Sequence, residues 1–330
     1  MKYNLSEEYF TSVSQENYCT YVSSRGIMKS CDVYPEDAYS GPSTYDDHLA
    51  KLNNVPPGAH GNVQYLHDIL KDDMKENLVI YVCTDNTCYF AHNILPKIKK
   101  PFVLVSGDSD LTVPTDVPMI SYYTALIESK YLIKWFAQNA TLTNSPKLLQ
   151  FPIGLDYHTI ANDPKHKWNP TGENSSSVEQ ERMLMQLEKK PFYERQCKIY
   201  CNTAPFNDRH GQRSSSIREI PPELLVVEKN VIPREETWKN MLQYTFILSP
   251  SGMGFDCHRS WEGFVLGSIV ILQKTDFTDG GLYDELPVLI VNNWSDITKE
   301  LLEDTIEKFK GMTFNYEKTK LKYWMDKTKV

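Results

Sequence analysis

Residues 244–272 read YTFILSPSGMGFDCHRSWEGFVLGSIVIL, and the order of signals in this stretch decides the fold. Tyr244 to Leu248 is an apolar run of strand length, a proline and two glycines interrupt it, and helical periodicity begins near Asp256. Asp256 is the expected N-cap; a helix from there puts Cys257, Trp261 and Phe264/Val265 on one apolar stripe and Arg259 with Glu262 on the other face. Gly267 is placed to end that helix in a left-handed conformation, and Ser268 to Leu272 is again a β-branched run of strand length. The unit is a strand, a loop, a helix and a strand, most simply a parallel crossover in an open α/β sheet.

The loop of such a unit faces the ligand crevice. Gly252 and Gly254, following Ser249, let the backbone approach an anion. The helix start offers N–H groups, and His258 and Arg259 add side-chain donors. A diphosphate fits that description, and Glu262, one turn further in, can accept from vicinal hydroxyls as acidic residues do for ribose in dinucleotide folds. The same spacing also describes a glycine turn with an Arg–Glu pair on a helix surface.

SPSGMGFDCHRSWEGF in residues 249–264 resembles the donor-site signature of exostosin-like glycosyltransferases, in the form found in algal and large-DNA-virus members. The similarity extends to FVLVSGDSDLTVP (102–114), KWFAQN (134–139), FPIGLDYHT (151–159) and LYDELPVLIVNNWSDIT (282–298), roughly residues 80 to 310. The resemblance implies a GT-B-like α/β protein: two Rossmann-like domains facing a cleft, with no metal required. It implies inverting transfer of a sugar from a UDP-sugar, with xylose the favoured sugar, to a hydroxyl of a glycan or glycoprotein. An arginine in the first loop of the second domain is implied on the phosphates, with Arg209 and Arg213 as joint candidates. Direct displacement needs a general base on the first domain, for which Asp108, Asp110, Asp156 and His158 stand as candidates.

Composition is that of a globular chain: 330 residues, 41% hydrophobic and 24% charged, long enough for two domains with a core each. A net charge of −8 argues against sequence-independent nucleic-acid binding, which depends on neutralising phosphates. No run has the length of a membrane span, and MKYNLSEEYF lacks the apolar stretch of a secretory signal, so a cytoplasmic protein is expected, in a host cytoplasm if the chain is viral. Seven scattered cysteines suit a reduced compartment, and Cys83 and Cys88 read as ordinary thiols in place of a zinc pair.

Along the chain, residues 1–60 have few periodic apolar positions, and parts of them read as loop draped on the first domain or as a flap toward substrate. A short helix is expected over Asn62–Leu70 and strands over Leu78–Cys83 and Phe102–Val105. The second strand runs into Gly107-Asp108-Ser109-Asp110. A D-x-D after a strand is how the other large glycosyltransferase architecture holds Mg²⁺ or Mn²⁺ on a donor diphosphate, and this metal-dependent transferase is the rival reading. The plain reading is a turn with a cap. A non-catalytic carbohydrate-binding protein is the third possibility. Tyr131–Asn139 has helical spacing, Leu148–Ile153 reads as a strand, and Asp156 and His158 follow at its end.

Residues 161–180 have the composition of a linker, which sets a division into a first domain, 1–180, on the acceptor side, a donor-binding domain, 181–310, and a closing segment, 311–330, crossing back to the first. A helix over Val178–Leu187 and a strand over Cys197–Cys201 come next. Over 189–219 the local charge is +4 in an acidic protein, which points to an anion site. Strand Val288–Val291, a helix over Asp296–Phe309 capped by Ser295, and a helix over Tyr316–Trp324 complete the chain.

Overall fold

The computed structural model describes residues 15–35, 63–71, 74–116, 120–141, 145–203 and 207–329. The protein is α/β, built on two parallel sheets. The first comprises β1 (Leu78–Cys83), β2 (Phe102–Gly107), β3 (Leu132–Gln138) and β4 (Leu148–Phe151), side by side in chain order. The second comprises β5 (Gln196–Cys201), β6 (Leu225–Val227), β7 (Tyr244–Leu248), β8 (Ile269–Gln273) and β9 (Val288–Val291), in the order β6-β5-β7-β8-β9. β7 and β8 pair in parallel through the helix His258–Val265, so the crossover expected from residues 244–272 is present.

Both sheets are covered on both faces, which is why their strands are apolar throughout and do not simply alternate. On one face of the first sheet Ile80, Val82, Leu104, Trp135 and Ala137 pack with Phe90, Ile94 and Leu126. On the other, Tyr81, Val103, Val105, Phe136 and Phe151 join a core that includes Trp261, Phe264, Val270, Leu272 and Tyr283 from the second half of the chain. That shared core holds the two sheets against each other.

Two-sided burial also explains the departure at residues 131–139, where Leu132–Gln138 form strand β3 in place of the expected helix. Trp135 and Phe136 are adjacent and both apolar because they enter opposite cores, a pattern that periodicity in a short run does not separate from a helix. The buried Trp135 indole donates to Ser106 Oγ at 2.9 Å, a bond that strand placement makes possible.

Several boundaries move. The late helix is Lys299–Lys310, capped by Thr298, whose hydroxyl accepts from the Leu301 N–H, and not by Ser295. The closing segment divides into a 3₁₀ turn, Tyr316–Thr319, and a helix, Leu321–Thr328. It lies beside the N-terminal strip: Val22 N–H donates to Thr319 O, Leu321 N–H donates to Thr20 O, and Trp324 meets Phe151 edge-on. The expected early helix is observed as Gln64–Asp68. The loop or flap reading of 1–60 falls largely on residues 1–14 and 36–60, which lie outside the described residues. The described part is not all loop, since it holds a 3₁₀ turn, Glu16–Tyr18, and a helix, Ser24–Lys29, whose start is capped by the Ser23 hydroxyl accepting from the Gly26 N–H. No helix among the described residues is long and apolar enough to cross a membrane.

Candidate functional site

In the second sheet β5 has β6 on one side and β7 on the other, so the chain leaves the carboxyl ends of β5 and β7 in opposite directions. Such a switch point leaves a crevice between the two departing loops, where open α/β sheets take ligands. Among the described residues those loops comprise 202–203 with 207–211, and 249–257. They are tied together by Arg209 N–H donating to Gly252 O and by Arg259 Nε donating to Asn202 Oδ1.

The serine-glycine loop is held by its own polar groups. Ser249 Oγ and Ser260 Oγ are 2.8 Å apart, the Ser251 N–H donates to Gln212 Oε1 at 3.0 Å, and the Gly252 N–H donates to Gly254 O at 3.0 Å. Neither glycine is required by a left-handed backbone. A Cβ on residue 252 would fall 2.1 Å from Arg213 Nη2, and one on residue 254 would fall 2.8 Å from Asn139 Nδ2. Gly252 therefore lets the Arg213 guanidinium lie on the loop, and Gly254 lets Asn139 do so.

Asp256 is not the helix cap. Cys257 occupies that position with no side-chain cap bond, and the helix runs His258–Val265. The Asp256 carboxylate instead turns inward, accepting from Trp261 Nε1, from the Tyr283 hydroxyl at 2.6 Å and from the Ile153 N–H at 2.7 Å. A buried carboxylate needs such partners, and these outweigh what a surface cap would offer. Burial raises the Asp256 carboxyl against the opposing pull of those donors. The consequence for the site is a helix start without a side-chain cap, next to Arg213 and Arg259.

The basic side chains differ in their engagement. Arg259 has Nε on Asn202, while its Nη1 is buried without a hydrogen-bond partner. Arg209 makes a two-pronged pair with Asp116, both contacts at 2.7 Å. Glu262 is buried, and its Oε1 accepts from Trp238 Nε1 at 3.0 Å, so one oxygen of the carboxylate expected on ribose is already used. His258 Nδ1 lies 2.7 Å from Gly154 O.

The carboxyl ends of the first sheet face this loop. Asp108 has a left-handed backbone, φ 54°, its N–H donates to Gln138 Oε1, and its carboxylate lies 3.4 Å from the buried Arg25 guanidinium. Asp110 is exposed yet surrounded by enough protein that desolvation raises its carboxyl above the ordinary range. His258, Arg213 and Arg209 pull the other way, and Asp85 adds to the rise. Asp156 is buried with Arg234, whose Nη2 is 3.0 Å from Oδ2 and whose Nη1 reaches the Asp156 carbonyl and Gln180 Oε1. Burial opposes ionisation of Asp156, but His158, Arg234 and His258 hold its carboxyl well below the usual carboxylate range. Burial pushes the His158 imidazole down, opposed by Asp156 at 3.2 Å.

The structure thus gathers Arg213, Arg259, His258, Ser249, Gly252 and Gly254 on one side and Asp110, Asp156 and His158 on the other. Asp108 is drawn to Arg25. For the D-x-D alternative, one of its two carboxylates already carries a guanidinium. Among the described residues the candidate metal-holding group is Asp156, His158 and His258, and neither Asp108 nor Asp110 belongs to it. Cys83 and Cys88 are buried free thiols.

Four participants escaped the sequence reading: Arg25, Asp116, Asn139 and Arg234. Asn139 would have stood out as the residue leaving β3 had that strand been recognised. Arg25, Asp116 and Arg234 carry no local signal, since their partners lie 83, 93 and 78 residues away. No protein-family model matches the chain, and no curated protein matches it.

Proposed function

We propose that the protein is an inverting glycosyltransferase of the two-Rossmann-domain, GT-B-like kind, moving a sugar from a UDP-sugar to a hydroxyl of a glycan or glycoprotein. Residues 181–310 are the donor side, 1–180 the acceptor side, and 311–330 the return segment. The observation that carries this reading is the arginine pair Arg213 and Arg259 at the switch point of the second sheet, on a glycine loop and an uncapped helix start, across from the carboxylate of Asp110.

In this reading the diphosphate lies against the loop 249–257. Arg213 and the unpartnered Nη1 of Arg259 meet its oxygens, and the helix N–H groups add their partial positive charge. These groups stabilise the negative charge that grows on the diphosphate as the bond to the anomeric carbon breaks. Asp110, as carboxylate, takes the proton of the acceptor hydroxyl while its oxygen attacks from the opposite face, which inverts the configuration. Arg209 would exchange Asp116 for the donor. Xylose remains the preferred sugar through the sequence resemblance. The UDP-sugar is the donor substrate, and this chemistry needs no metal.

The experiment is calorimetric titration of UDP into the protein and into Arg213→Ala and Arg259→Ala. Loss of a charged hydrogen bond costs about 1.5–3 kcal/mol, so each change should weaken UDP by roughly tenfold to a hundredfold. Unchanged affinity in both folded variants would end this assignment of the donor site.

A further inference from the structure

We propose that Asp156, His158 and His258 form a divalent transition-metal site with one open position, best suited to Zn²⁺. One ligand atom from each residue lies within 4.8 Å of the others, and the three come from both halves of the chain. The inference does not depend on the glycosyltransferase reading.

The geometry is that of ligands rather than of a hydrogen-bonded pair. His158 Nδ1 stands 3.2 Å from Asp156 Oδ1, yet it is buried and makes no hydrogen bond. Two ligands each about 2.0 Å from a tetrahedral Zn²⁺ stand about 3.3 Å apart, so this spacing is the edge of a metal tetrahedron. Across from them, His258 Nδ1 is 2.7 Å from Gly154 O. A carbonyl only accepts, so Nδ1 carries the hydrogen, and in the neutral ring the lone pair is then on Nε2, which is the tautomer a metal needs. The two imidazole rings are 5.6 Å apart between centroids.

The surroundings orient the carboxylate. Arg234 engages Oδ2 and the main-chain carbonyl of Asp156, while Thr159 N–H donates to Oδ1 at 3.0 Å, leaving one lone pair of Oδ1 toward the histidines. Arg234 is a positive charge beside a metal site and lowers its affinity. Asp108, which faces His158, and Asp110, which faces His258, offset that charge; Arg25 also acts on His158. Two imidazoles and one carboxylate are a borderline donor set that suits Zn²⁺ and Co²⁺ over Mg²⁺. With three protein ligands the fourth position takes water or an anionic oxygen.

The test uses the full chain, stripped with a chelator and titrated with Co²⁺ followed by absorption and with Zn²⁺ followed by calorimetry, without nucleotide. We expect one ion per chain, the visible bands of low-symmetry cobalt, and affinity reduced about tenfold or more in His158→Gln and in His258→Gln, by comparison with losses of second-shell groups. Circular dichroism melting shows that each variant is folded, and the two positions give independent readings. No saturable binding, binding unchanged in both variants, or a thiolate-to-cobalt band that places the ion on cysteine such as the neighbouring Cys257 would overturn the site. Absence of UDP binding would leave this result untouched, so failure here and failure of the donor-site reading are separate.

Discussion

Asn139 Oδ1 accepts the main-chain N–H of Asp256 at 2.8 Å, joining the end of β3 in the first sheet to the serine-glycine loop of the second. The same side chain donates through Nδ2 to Ser109 O at 3.2 Å, so one buried amide fixes the Asp108–Asp110 turn against the proposed phosphate loop. Asn139 itself has φ 54°, a conformation that asparagine tolerates better than most residues.

Asn139→Ala removes both bonds and places alanine in a left-handed conformation. The expected cost is about 2–4 kcal/mol, from an orphaned Asp256 N–H and the backbone strain. Denaturant unfolding should show this loss, and UDP binding should weaken as well because the loop loses its anchor. A variant as stable as the parent would mean that the contact between the halves does not depend on this residue.

Gly252→Ala separates loop geometry from stability. The new methyl would overlap Arg213 Nη2, which lies at the far end of a flexible side chain, so the guanidinium moves and the fold persists. UDP affinity should fall about as far as in Arg213→Ala, roughly tenfold to a hundredfold, with a stability change within about 1 kcal/mol. Full affinity in Gly252→Ala would show that Arg213 does not need its place on the loop.

As the proposed general base, Asp110 is expected to set the acid limb of sugar transfer. Its carboxyl is raised by desolvation, and a general base works only when ionised, so the rate should fall as pH drops through a value above the ordinary carboxylate range. Asp110→Asn should reduce sugar transfer by about 10²–10⁴-fold with UDP affinity retained. A variant with wild-type turnover would move the base elsewhere.

Glu16 supplies a pH dependence of stability. Burial pushes its carboxyl up to about 7, with Lys29 and the Ser23 hydroxyl, 3.0 Å away, pulling it down. The folded state therefore holds a proton that the unfolded chain releases near its ordinary value. This stabilisation is full below the unfolded pKa, declines as pH rises through the interval up to about 7, and is absent above it. Over that interval the change is about 3 kcal/mol. Glu16→Gln, neutral at every pH, should flatten this part of the profile of melting temperature against pH. An unchanged slope would place the titration on another group.

What was legible in the sequence was whatever depends on neighbours in the chain. The crossover at 244–272 could be read because a strand, a glycine loop and an amphipathic helix each have a local signature, and the +4 segment marked Arg209 and Arg213 by contrast with the acidic whole. What was lost depends on distant partners. Strand β3 looked helical because Trp135 and Phe136 serve two cores that the sequence does not name. Asp256 looked like a cap because nothing nearby reveals Tyr283 or the Ile153 N–H. Asp108 and Asp110 looked equivalent until Arg25 took one of them.

The most direct test of the donor-site reading is a comparative titration of the protein with UDP, UMP and uridine. The account predicts saturable UDP binding, at least about tenfold tighter than UMP, since the second phosphate gains the charged contacts to Arg213 and Arg259. Equal affinity for UDP and UMP, or no binding of either, would contradict it.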